Sequence, residues 1–545
     1  MRMRTGDTQL LSTLAAMPFL DRLELAAISG RSPAAVYQRL DRFAEAGLVE
    51  TVRHATELVP RSRRYCLSAT GVRRLAAEQG APSLGLLRNY PVSEQWRRLI
   101  LERLDAAAAI YALCVSASEF CHPLRFRWFR ADPVDAELEL SGGRRVVIVR
   151  QGRTADRTAF AKRIRRLQRT SGCSAVLLIC PDEPRLRHAR RLISGSSAIS
   201  FLALEHDVVL QGANADIWRG PSGAVRLNLR ETLSFVAPAS GRQPERPLSR
   251  CTMPRSLDLA EGAELWLTST RLSMIEKRAL DLIADWTWIR PLHLASLLGV
   301  GRRRLAQLLR RLDELNLIDR VAHAGYPRLA VSDEGLAAMA RRDRVSVGNS
   351  RKRWSVRQRQ AGAPLDWRNV QGIRSRQLLR HIDHTESVHW FAGQLADQAR
   401  DRGVRALQLD PPHRASRYFR HHDRLRSIHP DAYVLLHLDA GPRAFFLEWE
   451  RRAVRPATML ARLAPYLRYY ATPRPLEDHG IIPALLVVFE DPLVAGQFLR
   501  VAELAITRSA ASLPLRVSHR EHLETVGALG ADWGSLPQGV ASGES

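Results

Sequence analysis

One stretch of this chain occurs twice. Residues 20–49, LDRLELAAISGRSPAAVYQRLDRFAEAGLV, lie without a gap on residues 289–318, IRPLHLASLLGVGRRRLAQLLRRLDELNLI, at a constant offset of 269. Leu23 meets Leu292, Leu25 meets Leu294, Gly30 meets Gly299, Gln38 meets Gln307 and Leu48 meets Leu317. Whatever this segment builds is therefore built twice, and the fold has to be read as two comparable halves. Each copy reads as a helix, a turn holding a glycine, and a second helix. Apolar residues recur at helical spacing in that second helix, Val36, Leu40 and Phe43 in one copy and Leu305, Leu309 and Leu312 in the other. Ser32 before Pro33 is a helix start, and Gly47 or Asn316 stands where a left-handed residue ends a helix.

After each second helix come a short, partly apolar hairpin, VETVRHATELVPRSRRYCLS or IDRVAHAGYPRLAVS, and the entry to another helix. The whole pattern, over roughly 10–78 and 270–342, resembles the winged helix-turn-helix family. That resemblance implies that the outer face of the second helix meets the DNA major groove. Arg303, Arg304, Gln307 and Arg311 form this face in the second copy, and Tyr37, Gln38, Asp41 and Arg42 in the first. Arginine and glutamine can make paired contacts to base edges, while Arg61, Arg63, Arg64, Arg320 and Arg328 in the wings would bind phosphate. The plain alternative is a winged helix that contacts protein through a solvated charged face, and the first copy, poorer in cations, fits that exception better.

At 545 residues and 45% apolar composition, the chain can bury several cores. Its formal charge of +26 is almost wholly arginine, since lysine occurs only at Lys162, Lys277 and Lys352. A polyanion is the expected partner. No apolar run approaches the roughly 20 residues of a membrane span, and the start lacks a continuous apolar signal core, so a cytoplasmic protein is expected. Six cysteines without a CxxC pair point to buried thiols.

The repeat continues beyond the wings, giving mixed α/β organisation in both halves. Upstream stand a helix over 94–116, a hairpin over 133–150, a helix over 157–169, a strand over 174–180, a helix over 184–194 and strands over 199–210. Downstream stand a helix over 375–400, a hairpin over 429–452, a helix over 455–471, a strand over 481–490, a helix over 491–506 and a last strand, LPLRVS. The basic stretch 341–376 has little apolar periodicity and is expected to be mobile when free.

The downstream hairpin, HPDAYVLLHLDAGPRAFFLEWERR, carries acids at the outer ends of both strands. With a tight turn over Asp439–Pro442, Asp431 lies opposite Glu450, and Glu448 and Glu450 share a face. Like charges about 5 Å apart repel by roughly 3 kcal/mol at an effective dielectric near 20, so a cation is needed. Oxygen donors suit magnesium or manganese, and Arg451 and Arg452 are the bland alternative. Pro430-Asp431, a hairpin and Glu448-x-Glu450 resemble the PD-(D/E)xK nuclease core. With the preceding winged helix, FFLEWERR and LARLAPYLRYY, the chain resembles the replication-relaxation family of plasmid and mobile-element proteins over about 270–530.

This resemblance implies two winged helix-turn-helix domains (1–80 and 263–345) alternating with two restriction-endonuclease-like α/β domains (92–235, degenerate, and 374–530). Linkers at 236–262 and 346–373 and a flexible tail at 531–545 complete the order. It further implies that Asp431 and Glu448 hold the metal and that Glu450 occupies the usual lysine position as a third ligand. Arg462 or Arg451 would then supply the cation and Glu386 a further acid. Tyr466 and Tyr469 read more readily as core than as site. Laying Gly143 on Gly441 puts Arg150, Gln151 and Gly152 in place of the acids upstream, with Asp135 paired to Arg150. His413, His421, His422 and His429, interleaved with Arg414, Arg417, Arg420, Arg424 and Arg426, read as phosphate contacts. No GxxxxGK[ST] loop is present. The resemblance thus implies a duplex-DNA-binding protein of plasmid or mobile-element replication or transfer, with a relaxase or replication initiator as partner and a homodimer left open. It is either a magnesium-dependent nuclease or a non-catalytic regulator on the same fold.

Overall fold

The computed structural model describes residues 3–530 and 534–535, apart from 155–156, 170–174, 195–198, 221–222, 224, 239–247, 249, 258–267, 361, 363–364, 405, 440, 452–454 and 510. It is mixed α/β, and the chain forms two compact units, Met1–Lys277 with Glu334–Arg351 and Arg278–Asp333 with Lys352–Ser545. No helix among the described residues is long and apolar enough to cross a membrane. Cys66, Cys114 and Cys180 are buried free thiols, Cys121 and Cys251 are half-buried, and Cys173 lies outside the described residues.

In the first unit, helix Arg22–Ser29 starts at Asp21, whose carboxylate accepts the backbone N–H groups of Leu23 and Glu24. It ends at Gly30, where φ is 64°, a conformation that costs little without a Cβ. Ser32 caps the second helix, Pro33–Glu45, with Pro33 in its first turn. The second unit repeats this with Pro291–Leu298, Gly299 at φ 68°, and Arg302–Glu314. Leu305, Leu308, Leu309 and Leu312 are all buried there, each contributing about 1.5–3 kcal/mol relative to exposure.

Hairpins follow at Val49–His54 with Ser62–Leu67 and at Ile318–His323 with Tyr326–Val331. Two residues 269 apart, Phe19 and Trp288, take the same positive φ, 67° and 72°. Their N–H groups donate to the carbonyls of Tyr65 and Leu329 in the returning strands, at 2.7 and 2.9 Å. The repeat thus extends to a strained position that only its surroundings can hold. Leu23 and Leu292 also match, but both are exposed, so their agreement is not one of core packing.

The first unit's main sheet has seven strands, in the order Arg226–Leu227, Trp218–Arg219, Ile199–Leu204, Ala175–Cys180, Arg145–Arg150, Ala136–Glu139, Arg125–Trp128. The second unit's has six, in the order Ala406–Asp410, Ala432–Leu438, Gly441–Glu450, Ala484–Phe489, Leu515–His519, Gly534–Ser535. In both, an antiparallel hairpin runs into two parallel neighbours through crossover helices. Helix Pro456–Tyr470 packs Met459, Leu463, Tyr466 and Tyr469 into the core beside the second sheet.

Three sequence expectations change. Helices reach into the stretch 341–376 at three places, Asp333–Arg342, Val347–Trp354 and Ile373–Arg380. In the second unit Val356, Val370 and Leu379 pack with Trp288, whose indole donates to the carbonyl of Ser375 at 2.8 Å. Residues 205–210 are helix, not strand. The helices over 94–116 and 375–400 each break, at Arg103 and His381. Of the tail, all but 534–535 lies outside the described residues.

Candidate functional site

Two places collect the residues singled out above. The first is the outer side of helix Arg302–Glu314. Its four leucines face inward, so Arg302, Arg303, Arg304, Gln307, Arg310 and Arg311 are exposed together. Five arginines against two acids give the helix a net charge of +3. Arg304 donates to Gln307 at 3.3 Å and Arg311 lies 3.4 Å from Glu314, both on the surface. Arg320 is exposed in the hairpin, 3.5 Å from Asp313.

The matching helix of the first unit is different. Arg39 and Arg42 are offset by Asp41 and Glu45, leaving no net charge. Gln38 and Arg42 are exposed, but Tyr37 is half-buried beneath the Arg22 guanidinium, 4.9 Å from its ring centre. Arg61 and Arg63 are exposed in the hairpin.

Two arginines expected to hold phosphate do not face solvent. Arg64 is fully buried and donates to the Phe19 carbonyl at 3.0 Å and to Glu24 at 2.9 Å. Arg328 is buried and donates to the Trp288 carbonyl at 3.2 Å and to Glu386 at 2.7 Å. They occupy the same place in the two copies, bracing the carbonyl of the strained residue. Glu386 is corrected with them. Its oxygens are taken by Arg328, Arg290 at 3.0 Å and His293 at 2.9 Å, so it adds no acid to the hairpin. Burial opposes its ionisation, yet these hydrogen bonds pull its carboxyl down to about 2.

The second place is the acidic hairpin. Its register is Ala432 opposite Leu447 and Leu438 opposite Gly441, so Asp431 lies opposite Glu448 rather than Glu450. The difference is two positions on one strand, which keeps every side chain on its face. Asp431 accepts the Trp449 N–H and sits against His384 Nε2, both at 2.8 Å. Tyr466 donates its hydroxyl to Glu448. Glu450 is buried and is met by Arg462 Nε at 3.1 Å. Arg451 turns instead to Asp383 and Glu490, at 3.4 and 3.6 Å, and Arg452 lies outside the described residues.

Burial, then the charge of Asp431, push the Glu448 carboxyl well above the ordinary range, against the Tyr466 hydrogen bond. Burial would lower His384, but the Asp431 carboxylate outweighs it and raises the imidazole above its usual value. The repulsion foreseen from the sequence is thus met by local partners: the Tyr466 hydroxyl on Glu448, an imidazole on Asp431 and a guanidinium on Glu450. No group of three or more acid, histidine or cysteine side chains among the described residues is arranged to hold a metal ion. In this arrangement each of the three carboxylates is engaged by a protein partner.

His384 was missed because an acid was sought on that helix. Residues two apart on a helix point about 200° from each other, so only one of His384 and Glu386 can face the hairpin. Tyr466, read as core, is buried as expected but also meets Glu448, whereas Tyr469 bonds Asp478 at 3.2 Å.

In the first unit the hairpin register pairs Ala136 with Ile148. Asp135 then matches Asp431, and Val149, Arg150 and Gln151 match Glu448, Trp449 and Glu450, one residue from the alignment drawn on glycines. Asp135 accepts the Arg150 N–H at 2.7 Å, as Asp431 accepts that of Trp449. Its ion partners are Arg163 and Arg344, while the Arg150 side chain goes to Glu205 at 2.9 Å. Comparison with protein-family models, curated proteins and solved structures gives no match.

Proposed function

We propose that this chain is a duplex-DNA-binding protein that acts as a non-catalytic regulator or accessory factor of plasmid or mobile-element replication or transfer. In this reading each helical pair with its hairpin is a winged helix-turn-helix, and each large sheet is a restriction-endonuclease-like scaffold. The observation that carries it is the outer face of helix Arg302–Glu314, where unburied arginines and Gln307 stand on a rigid leucine-backed helix. That face has the size and donors to enter a major groove and pair with guanine or adenine edges. Helix Pro33–Glu45, without net charge, suits a protein contact such as a relaxase, a replication initiator or a second copy of the chain.

The test is binding of fluorescent duplex DNA across a salt series. Wild type should show log Kd rising steeply with log salt. Arg303→Ala with Arg304→Ala should weaken binding by about 10–100-fold, the scale of losing one or two specific contacts. Unchanged affinity in this variant, or no duplex binding by wild type, would sink the reading.

A metal-dependent nuclease is the second reading, favoured by one observation, the placement of Asp431 directly against Glu448 with Glu450 on the same strand face. Such a role requires His384, Tyr466 and Arg462 to release their carboxylates. The expected result is that supercoiled and linear DNA stay intact with magnesium or manganese. Nicking that disappears in Asp431→Ala would establish the nuclease instead.

A further inference from the structure

Between the first strand of the second unit's sheet and the acidic hairpin, the chain makes a separate two-stranded ribbon, Arg417–His421 paired with Arg424–Ile428. His422 and Asp423 form its two-residue turn, both at positive φ, 48° and 57°. This is the tight turn that matches the twist of a hairpin. Neither is glycine, so both residues take a conformation uncommon for L side chains.

The root is fixed. Phe419 and Ile428 are buried in the same cluster as Tyr466 and Tyr469, with the Phe419 and Tyr469 rings 5.2 Å apart. Arg417 is fully buried, its guanidinium donating to the carbonyls of Arg414, Ala415 and Ser416 at 2.6, 2.8 and 3.1 Å. Arg414 is tied to Asp285 at 2.6 Å. Of the arginines expected from the sequence to meet phosphate here, these two are structural.

The outer face is the opposite. Tyr418, Arg420 and Leu425 are exposed, and Leu425 is 72% exposed on a strand where an apolar residue gains nothing from water. Arg420 on this face and Arg424, exposed on the other face beside the turn, form no ion pair among the described residues. Asp423 at the tip is the ribbon's one acid. A rigid root, a protruding leucine and unpaired cations on a two-stranded ribbon describe something shaped to enter a groove. Paired strands lie about 4.8 Å apart, and the roughly 12 Å major groove admits such a ribbon.

We propose that the ribbon Arg417–Ile428 is a second DNA contact that enters the major groove, with Arg420 and Arg424 on the bordering phosphates and Leu425 against base edges such as the thymine methyl. The proposal rests on the duplex-binding reading above. The chemistry recognised is a phosphate-lined groove of fixed width, so the ligand is duplex and not single-stranded DNA.

The experiment uses the full chain, a fluorescent duplex and a single strand of the same sequence, each over a salt series. Arg420→Ala with Arg424→Ala should weaken duplex binding by about 10-fold or more and lower the slope of log affinity against log salt by about two, near 0.9 for each phosphate released. Leu425→Glu should weaken duplex binding without lowering the melting temperature, because the side chain is mostly exposed. If wild type and Arg303→Ala/Arg304→Ala behave as expected for duplex binding while the ribbon variants match wild type, the ribbon proposal is overturned and the parent reading stands. Equal losses on single-stranded and duplex DNA would overturn groove entry. No duplex binding by wild type would remove the parent reading itself.

Discussion

Arg328→Ala is expected to destabilise the second unit by about 3–5 kcal/mol, the cost of stripping one partner from a buried ion pair. The guanidinium is 5% exposed and holds two groups at once, the Glu386 carboxylate at 2.7 Å and the Trp288 carbonyl at 3.2 Å. Without it, Glu386 keeps its charge beside buried neighbours, and the carbonyl of a residue at φ 72° loses its donor. Glu386→Ala should cost a similar amount, by leaving Arg328 unpaired. The losses should not add in the double variant, since each single change removes the same bond. Denaturant unfolding followed by tryptophan fluorescence reads this out, because Trp288 lies in the affected cluster. The pH dependence has a fixed sign. Glu386 is depressed in the fold to about 2, so its contribution is complete above the ordinary carboxyl value near 4.5 and fades as pH falls toward 2. An Arg328→Ala protein of unchanged stability but weakened DNA binding would return this residue to the role of a phosphate contact.

How much of this was legible follows from what each residue answers to. The duplicated helices were readable because leucine spacing and capping are local: Leu305, Leu309 and Leu312 are core wherever the helix goes, and Gly30 and Gly299 end helices by their own backbone freedom. Arg64 and Arg328 were misassigned because an arginine in a hairpin reads as surface unless the buried acid is known. Those acids come from different places, Glu24 on the preceding helical pair and Glu386 some 58 residues on. The hairpin acids converge although the register was misjudged, because strand faces survive any shift of two. The same shift decided which pair is in contact. The stretch 341–376 looked formless because Val356, Val370 and Leu379 are too sparse for a periodic signal, and they acquire meaning only against Trp288. Its basic composition described its surface and not its order.

Opposite effects are expected from the two acids that face each other at the end of the second unit's sheet. Asp431→Ala should cost about 1–3 kcal/mol, since the buried Trp449 N–H loses its acceptor and His384 loses the charge that raises it. Glu448→Gln should leave stability at neutral pH unchanged or higher. The amide still accepts the Tyr466 hydroxyl, fills the same volume and cannot ionise against Asp431. The sign follows from linkage. A carboxyl raised in the fold binds its proton there more tightly than in the unfolded chain, so wild type loses stability as pH climbs above about 4.5, until the folded group also ionises. Glu448→Gln should flatten that decline, and melting temperatures of the three proteins over pH 4–9 would show it. The same measurement separates the two readings of the hairpin. An acid that holds a cation cannot be replaced by an amide without loss. If millimolar magnesium or manganese raises the wild-type melting temperature, as a ligand of the folded state must, and Glu448→Gln abolishes that rise, the carboxylates are metal ligands and the non-catalytic assignment falls.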